Sequence, residues 1–173
     1  MAVYPRPGDA ALVWRMRGIG CKMPIRCLMA ARSCGLSVAL ACSILEQETG
    51  GGVNEYGHDP TIFIGYGRVN VVNYRLYRRM RDIPRPGSHC QGVGPVQLTS
   101  YGYQSTADRE GGCWRPLVNM KVGFRSLAEN IRRDGLHAGV AAYNGSGPAA
   151  EHYADEVIMR AQRYAVDLRL PKP

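Results

Sequence analysis

The sequence predicts a mainly α-helical protein with a small β element near its middle. Apolar residues recur at helical spacing in several stretches, the clearest of which runs from Pro116 to a stop at Gly135. The short β-favouring run Thr61 to Ile64 is flanked by turn residues. Long helical stretches around one short β run are typical of a mainly α (α+β) fold.

Prolines and glycines divide the chain into elements. Residues 1 to 20 form a loose arm with one short helix near residues 10–16, and a single domain follows over residues 21–170, because no linker or repeat interrupts it. The predicted helices cover residues 24–32, 36–48, 69–82, a stretch after Pro95, and residues 116–134, 138–143 and 148–164. The first two are expected to form a helical hairpin. Apolar and aromatic residues at helical spacing predict the inner faces of three others: Val72, Leu76 and Met80; Met120, Phe124 (or Gly123), Leu127 and Ile131; and Tyr153, Val157, Ala161 and Tyr164.

Size and charge restrict the function. A chain of 173 residues is the size of one domain, and no apolar run reaches the roughly 18 to 20 residues of a membrane helix. The formal net charge of +8 favours polyanionic partners, either nucleic acid or an anionic cell envelope. An arginine cluster would suit either partner, or would be an ordinary solvated helix face: Arg75, Arg78, Arg79, Arg81 and Arg85.

The six cysteines include no CxxC pair, so the sequence predicts no zinc ribbon and no metal site. Cys27 and Cys34 share a helix face and are expected in the core. Cys90 and Cys113 are candidates for a disulfide. The first 20 residues contain prolines and arginines where a secretion signal would have an apolar run, so we expect export, if any, by another route.

Glu48 is the candidate catalytic residue. It continues the apolar stripe of Leu40 and Ile44 at i+4 and i+8, whereas Glu46 shares a face with Cys42 and Ser43 and is expected in solvent. Three glycines then end the helix within a turn, so the Glu48 carboxyl is expected at the edge of the core, where partial desolvation suits a general acid. The alternative is a helix-end acid that turns to water.

Three blocks of residues follow one another along the chain. The first is Glu48-Thr49, followed by Asn54, and the second is GVGPVQLT, with Gly94 and Gln97. The third joins a Pro-x-x-Asn helix to the block AAYNGSGP: Pro116, Asn119, Gly123, Leu127 and 141–148. Together the blocks resemble the goose-type lysozyme and soluble lytic transglycosylase superfamily, whose pattern the third block matches nearly one for one. Asn54 lies further from Glu48 than the family's Asn, and the span from Asn54 to Gly92 is longer than in typical transglycosylases.

The resemblance implies a lysozyme-like fold in which a small β or loop lobe, from about Asn54 to Gly92, faces a helical lobe across a cleft. It implies that Glu48 is the general acid, and that Thr49, Gln97, Tyr143 and Asn144 bind substrate. Asp59 is the nearby acid that could hold a water or stabilise the transition state, or it could simply form the turn before Pro60. Possible sugar-stacking aromatics, each of which could equally be packing, are Tyr56, Tyr66, Tyr101, Tyr103 and Trp114.

The function implied is a peptidoglycan-cleaving muramidase, a glycoside hydrolase acting on the β-1,4 bond between N-acetylmuramic acid and N-acetylglucosamine. A lytic transglycosylase giving 1,6-anhydro products and a catalytically silent wall-binding module remain alternatives. Expected partners are glycan strands and anionic wall polymers, and a nucleic-acid-binding motif is missing. We expect a monomer without cofactor or membrane insertion, acting as a phage endolysin from the host cytoplasm on the wall, or within a virion.

Overall fold

A computed structural model describes residues 6–55 and 68–173. The described residues form helices and loops without a strand, which confirms the mainly α class. The expected β run at residues 61–64 lies outside the described residues. The helices are α1 (Asp9–Gly18), α2 (Pro24–Cys34), α3 (Val38–Thr49), α4 (Val71–Arg81), α5 (Tyr101–Arg109), α6 (Pro116–Asp134), α7 (Leu136–Asn144) and α8 (Pro148–Leu168).

Most helix boundaries lie at the residues that the sequence indicates. Pro24, Pro116 and Pro148 each occupy the first helical position, where the missing N–H leaves no hydrogen bond unmade. The Ser37 side chain caps the start of α3. Gly50 ends α3 with a φ of 59°, in the left-handed region that glycine enters without a steric penalty.

Five of these helices pack in a closed circuit. Helix α2 packs on α6, α6 on α7, α7 on α8, α8 on α3, and α3 returns to α2, as expected for a helical hairpin. The core inside the circuit includes the predicted stripe of α6, with Met120, Phe124 and Leu127 fully buried. The predicted inner face of α8 is also confirmed, because Tyr153, Val157, Ala161 and Tyr164 are buried.

Helix α1 packs against α2 and α8 and buries Leu12 and Met16. The Arg32 guanidinium on α2 makes two hydrogen bonds, of 2.6 and 2.7 Å, to the Asp9 carboxylate at the start of α1. Hydrogen bonding to Arg32 lowers the pKa of Asp9. The first helix thus belongs to the packed helical body and is longer than the short helix expected from the sequence.

Helix α4 is rotated relative to the sequence prediction. Val72, Leu76 and Met80, the apolar residues at i, i+4 and i+8, are exposed, whereas Tyr74 and Tyr77 are buried. The polar groups on this inner face make hydrogen bonds to α5, including one of 3.1 Å from the Tyr77 hydroxyl to Gln104 Oε1. Within the described ranges, no helix has both the length and the apolar character needed to cross a bilayer.

Candidate active site

The end of α3 places Glu48 and Thr49 in different surroundings. Glu48 is half-buried and lines a pocket, whereas Thr49 is buried and does not line it. The Thr49 hydroxyl donates a 2.7 Å hydrogen bond to the carbonyl oxygen of Pro95. Thr49 therefore ties the end of α3 to the loop over residues 92–99, and its predicted role in substrate binding is not supported by direct contact with the pocket.

The exposure of the α3 residues differs from the sequence prediction. Cys42 and Ser43 are buried, so the face that Glu46 shares with them is not a solvent face. Glu46 and Glu48 are both half-buried, and burial alone does not separate them. Their surroundings do, since Glu46 approaches Gly20 and Gly51 on the side of the α1–α2 connection, whereas Glu48 lines the pocket.

The pocket has a volume of about 70 Å³ and gathers four of the six predicted site residues. Its lining consists of Glu48, Gln97, Leu98, Thr99, Tyr103, Tyr143 and Asn144. Glu48 is the single carboxyl among these residues. A pocket of this size holds a few atoms rather than a sugar chain, because pockets for whole small molecules measure roughly 300 to 1,000 Å³.

Two tyrosines lie close to the Glu48 carboxylate. The Tyr153 hydroxyl on α8 donates a 2.5 Å hydrogen bond to Glu48 Oε1. Burial raises the pKa of Tyr153, and the negative charge of Glu48 raises it further. The same two causes raise the pKa of Tyr143 well above its usual range. Both phenols therefore stay protonated and can donate hydrogen bonds at neutral pH.

Gln97 sits in a tightly held loop. Its φ of 45° lies in the left-handed region, which is uncommon for a residue with a side chain. The Gln97 amide nitrogen donates hydrogen bonds to the carbonyl oxygens of Gly94, at 2.8 Å, and Glu55, at 3.0 Å. Gly92 has to be small here, because a Cβ on it would lie 2.2 Å from Gln97 Oε1. These contacts fix the side chain at the pocket wall.

Helix α6 supports this loop from behind. The buried Asn119 side chain accepts a 3.1 Å hydrogen bond from the Val96 amide and donates one of 2.8 Å to the Val93 carbonyl. Gly94 packs directly on that side chain, since a Cβ on it would lie 2.6 Å from Asn119 Cγ. The Asn119 side chain of the Pro-x-x-Asn motif therefore holds the glycine-rich block with both its hydrogen-bond acceptor and its donor.

Helix α7 completes the pocket through Tyr143 and Asn144. The Tyr143 hydroxyl donates a 2.8 Å hydrogen bond to the Val96 carbonyl. A Cβ on Gly123 would lie 2.6 Å from Val96 Cγ2 and 2.9 Å from this hydroxyl, so glycine is needed for all three to meet. Asn144 is exposed at the helix end and lines the rim. The three sequence blocks thus converge on a single pocket.

The remaining site predictions have mixed outcomes. Asp59, Tyr56 and Tyr66 lie outside the described residues. Trp114 packs on Tyr74, with ring centroids 5.8 Å apart, and is largely a core residue. Tyr103 lines the pocket and is 43% exposed, so among the suggested aromatics that the structure describes it is the one placed to contact a ligand there.

Glu55 is a second acid close in sequence to Glu48, and the sequence motifs do not single it out. Its side chain is buried and lies 3.5 Å from the exposed Arg68 guanidinium. Burial raises the pKa of Glu55, and the charge of Arg68 offsets part of this rise. Its backbone carbonyl anchors Gln97, but its side chain is not among those lining the pocket.

The arginine cluster is only partly a surface. Arg75, Arg78, Arg79 and Arg85 are exposed, whereas Arg81 is 1% exposed and makes a bidentate ion pair with Asp82, with N···O distances of 2.7 and 2.9 Å. The interpretation of all five as one basic face was therefore wrong for Arg81. The other four leave a positive surface on and next to α4.

Cys90 and Cys113 are free thiols, so the disulfide considered for them is not present. Cys113 is buried beside Asn119, whereas Cys90 lines a separate, mainly apolar pocket of about 530 Å³ together with Tyr77, Met80, Ile83, His89 and Gln91. This pocket is larger than the one at Glu48 but has no acid in its lining. The carboxyl that the sequence singles out, Glu48, therefore lies in the smaller pocket.

Comparison of the chain with protein-family models, with curated proteins and with solved structures finds no match. The fold and the site by themselves describe a mainly helical protein with one carboxyl in a pocket of amide and phenol groups.

Proposed function

We propose that this protein is a peptidoglycan-cleaving glycosidase in which Glu48 is the general acid for the β-1,4 bond between N-acetylmuramic acid and N-acetylglucosamine. The observation that carries the proposal is the convergence of Glu48, Gln97, Tyr143 and Asn144 on one pocket from three separate parts of the chain. A lysozyme-like arrangement, with a small lobe between residues 54 and 92, is part of the same proposal.

The site supports a proton transfer at Glu48. In its protonated form the carboxyl delivers its proton to the glycosidic oxygen as the C–O bond breaks, and the resulting carboxylate is stabilised by the Tyr153 hydroxyl that already donates to Oε1. The Asn144 side chain at the rim offers an amide that can hydrogen-bond the acetamido and hydroxyl groups of a sugar. Tyr103 offers an aromatic ring at the same wall.

The second step distinguishes a hydrolase from a lytic transglycosylase. In a hydrolase a second carboxylate holds a water or stabilises the positive charge on the sugar, and Asp59 is our candidate for this role. In a transglycosylase the C6 hydroxyl of the muramic acid attacks C1 of the same sugar, and the Glu48 carboxylate accepts the proton of that hydroxyl. The described part of the pocket contains a single carboxyl, which favours the transglycosylase as the second candidate.

Product analysis tests both. The purified protein is incubated with peptidoglycan, and the released muropeptides are identified by mass spectrometry. Reducing muramic acid ends, lost in Asp59→Asn, support the hydrolase, whereas 1,6-anhydro ends, with one water fewer and unchanged in Asp59→Asn, support the transglycosylase. Binding to walls without release of either product would contradict the glycosidase proposal and favour a wall-binding module.

The biological setting is proposed on the same basis. Cleavage of wall glycan by a basic protein fits a phage endolysin, which reaches the wall from the host cytoplasm, or a lysozyme module of a virion. The exposed arginines on α4 would contact anionic wall polymers. Lysis of a cell by the protein expressed in its cytoplasm together with a holin, but not by the protein alone, would support the endolysin role.

A further inference from the structure

Three cysteines from different segments form a compact cluster between α2, α3 and the connection that precedes α2. Cys21 lies in the α1–α2 connection, Cys27 on α2 and Cys42 on α3, and their Sγ atoms all lie within 4.8 Å of one another. All three are buried, with 4%, 0% and 3% exposure. Across residues 6–55 and 68–173 this is the one group of three or more Cys, His, Asp or Glu side chains close enough to share a metal ion.

The spacing of the sulfurs suits a metal site. A metal–sulfur bond of about 2.3 Å implies S···S distances of roughly 3.8 Å in a tetrahedral site and roughly 4.0 Å in a trigonal one. Both lie within the 4.8 Å limit of the cluster, so little movement is needed to bring all three sulfurs onto one ion.

The thiolate is the form of cysteine that ligates a metal. Binding of an ion by the three sulfurs would therefore release the protons of the ligating thiols to solvent, without any electron transfer.

We propose that Cys21, Cys27 and Cys42 bind one thiophilic metal ion in a three-coordinate site that prefers Cu(I) to Zn(II). Soft thiolate ligands select both ions, but structural zinc sites are almost always four-coordinate. The described residues provide three donors and no fourth Cys, His, Asp or Glu. The burial of all three sulfurs also leaves little access for a water as fourth ligand.

Such an ion would join α2, α3 and the connection that precedes α2. The amide of Lys22, the residue after Cys21, donates a 2.9 Å hydrogen bond to the Gly51 carbonyl in the turn that follows α3. A Cβ on Gly51 would lie 2.4 Å from the Gly20 carbonyl oxygen, so the two backbones are in direct contact. The metal would hold α2, α3 and this contact together, and its main effect is expected on stability.

The test uses the full chain, reduced and anaerobic, with Cu(I) supplied in competition with a chelator of known affinity. Native mass spectrometry is expected to show one copper per chain, and thermal unfolding is expected to move to higher temperature. Cys27→Ser should weaken Cu(I) binding at least about tenfold. Cys34→Ser, on the same helix but outside the cluster, is the matched control and should bind like the wild type.

The sulfur coordination number at copper, from X-ray absorption of the wild-type complex, decides the case even if Cys27→Ser does not fold. Three sulfur neighbours support the proposal. Two sulfurs, or nitrogen and oxygen ligands, would overturn it, and so would a wild type that binds no copper or a Cys27→Ser variant that binds as tightly as Cys34→Ser. Displacement of Cu(I) by equimolar Zn(II) would overturn the preference between the two ions.

Discussion

Tyr153 and Glu48 are 105 positions apart, yet the Tyr153 hydroxyl donates a 2.5 Å hydrogen bond to Glu48 Oε1. The contact is made possible by the packing of α8 along α3, which also brings the buried Ser43 hydroxyl within 2.7 Å of the Val157 carbonyl. The candidate acid is thus oriented by the last helix of the fold, and its position depends on the packing of the whole helical circuit.

Glu48→Gln is expected to reduce wall lysis at least about 100-fold while the fold is retained, because the amide keeps the shape of the carboxyl but cannot deliver a proton. Release of soluble muropeptides measures the activity, and circular dichroism measures the fold. Glu46→Gln, two residues earlier and outside the pocket, is the control and should lyse walls normally. Loss of lysis in Glu46→Gln with retention in Glu48→Gln would refute the assignment.

Tyr153→Phe removes the hydrogen bond to Glu48 but keeps the aromatic packing. Lysis should fall by roughly tenfold, consistent with the loss of a hydrogen bond to a charged group. A donor to the carboxylate favours its ionised form, so the alkaline limb of the pH profile of lysis should move to higher pH in the variant. Tyr164→Phe, on the same helix but near Glu46, should leave the profile unchanged. An unshifted limb in Tyr153→Phe would mean that the residue only packs.

Gly123→Ala should destabilise the protein and reduce lysis, because the new methyl group would overlap Val96 Cγ2 and crowd the Tyr143 hydroxyl. Overpacking of this kind costs about 1 to 3 kcal/mol. Urea unfolding measures the change. Gly102→Ala on α5, where a Cβ would meet no atom within 4 Å, should be neutral or stabilising by up to about 1 kcal/mol. Equal effects of the two substitutions would contradict the close packing inferred at Gly123.

Glu55 should make stability depend on pH. Burial raises the pKa of its carboxyl in the folded state, so its contribution is fully present below the unfolded pKa of about 4.3 and is lost as the pH rises through the folded pKa. The free energy of unfolding, measured with urea from pH 4 to 8, should therefore fall less steeply for Glu55→Gln than for the wild type. Glu129→Gln, on the exposed side of α6, should follow the wild type. A parallel course for Glu55→Gln would exclude the linkage.

Added salt should weaken lysis of whole walls more steeply than cleavage of soluble chitin-like oligomers, because screening affects the attraction between the +8 protein and anionic wall polymers. The double variant Arg75→Gln and Arg79→Gln should reduce the salt dependence on walls, since both arginines are exposed on α4. Identical salt slopes on the two substrates would remove the electrostatic contribution.

The sequence predicted the elements that depend on local patterns and missed those that depend on tertiary packing. Prolines and glycines specify the helix ends locally, so α2, α3, α6 and α8 were found close to their true bounds. The prediction for the inner face of α4 is wrong because apolar periodicity points to Val72, Leu76 and Met80. The residues that are buried instead are Tyr77 and Arg81, whose polar groups hydrogen-bond to Gln104 on α5. No local signal indicates such a partner.

The candidate site shows the same division. Gln97, Tyr143 and Asn144 could be identified because motifs carry them, whereas Tyr153 was predicted only as part of the inner face of α8. Its hydrogen bond to Glu48 arises from the register of two helices that are remote in sequence. The cysteine cluster was missed for the same reason, since spacings of five and fourteen intervening residues match no metal motif.

The contacts that hold the 92–99 loop determine which residues of this pocket could be redesigned. Asn119 uses both its donor and its acceptor on the loop, Gln97 uses its amide within it, and Gly92 and Gly94 have no room for a Cβ. Random mutagenesis across the loop would therefore yield mostly unfolded or distorted proteins. A library meant to change ligand selectivity should keep these four residues. It should vary the pocket-lining positions Thr99, Tyr103 and Asn144, because side chains at these positions would contact a ligand in the pocket.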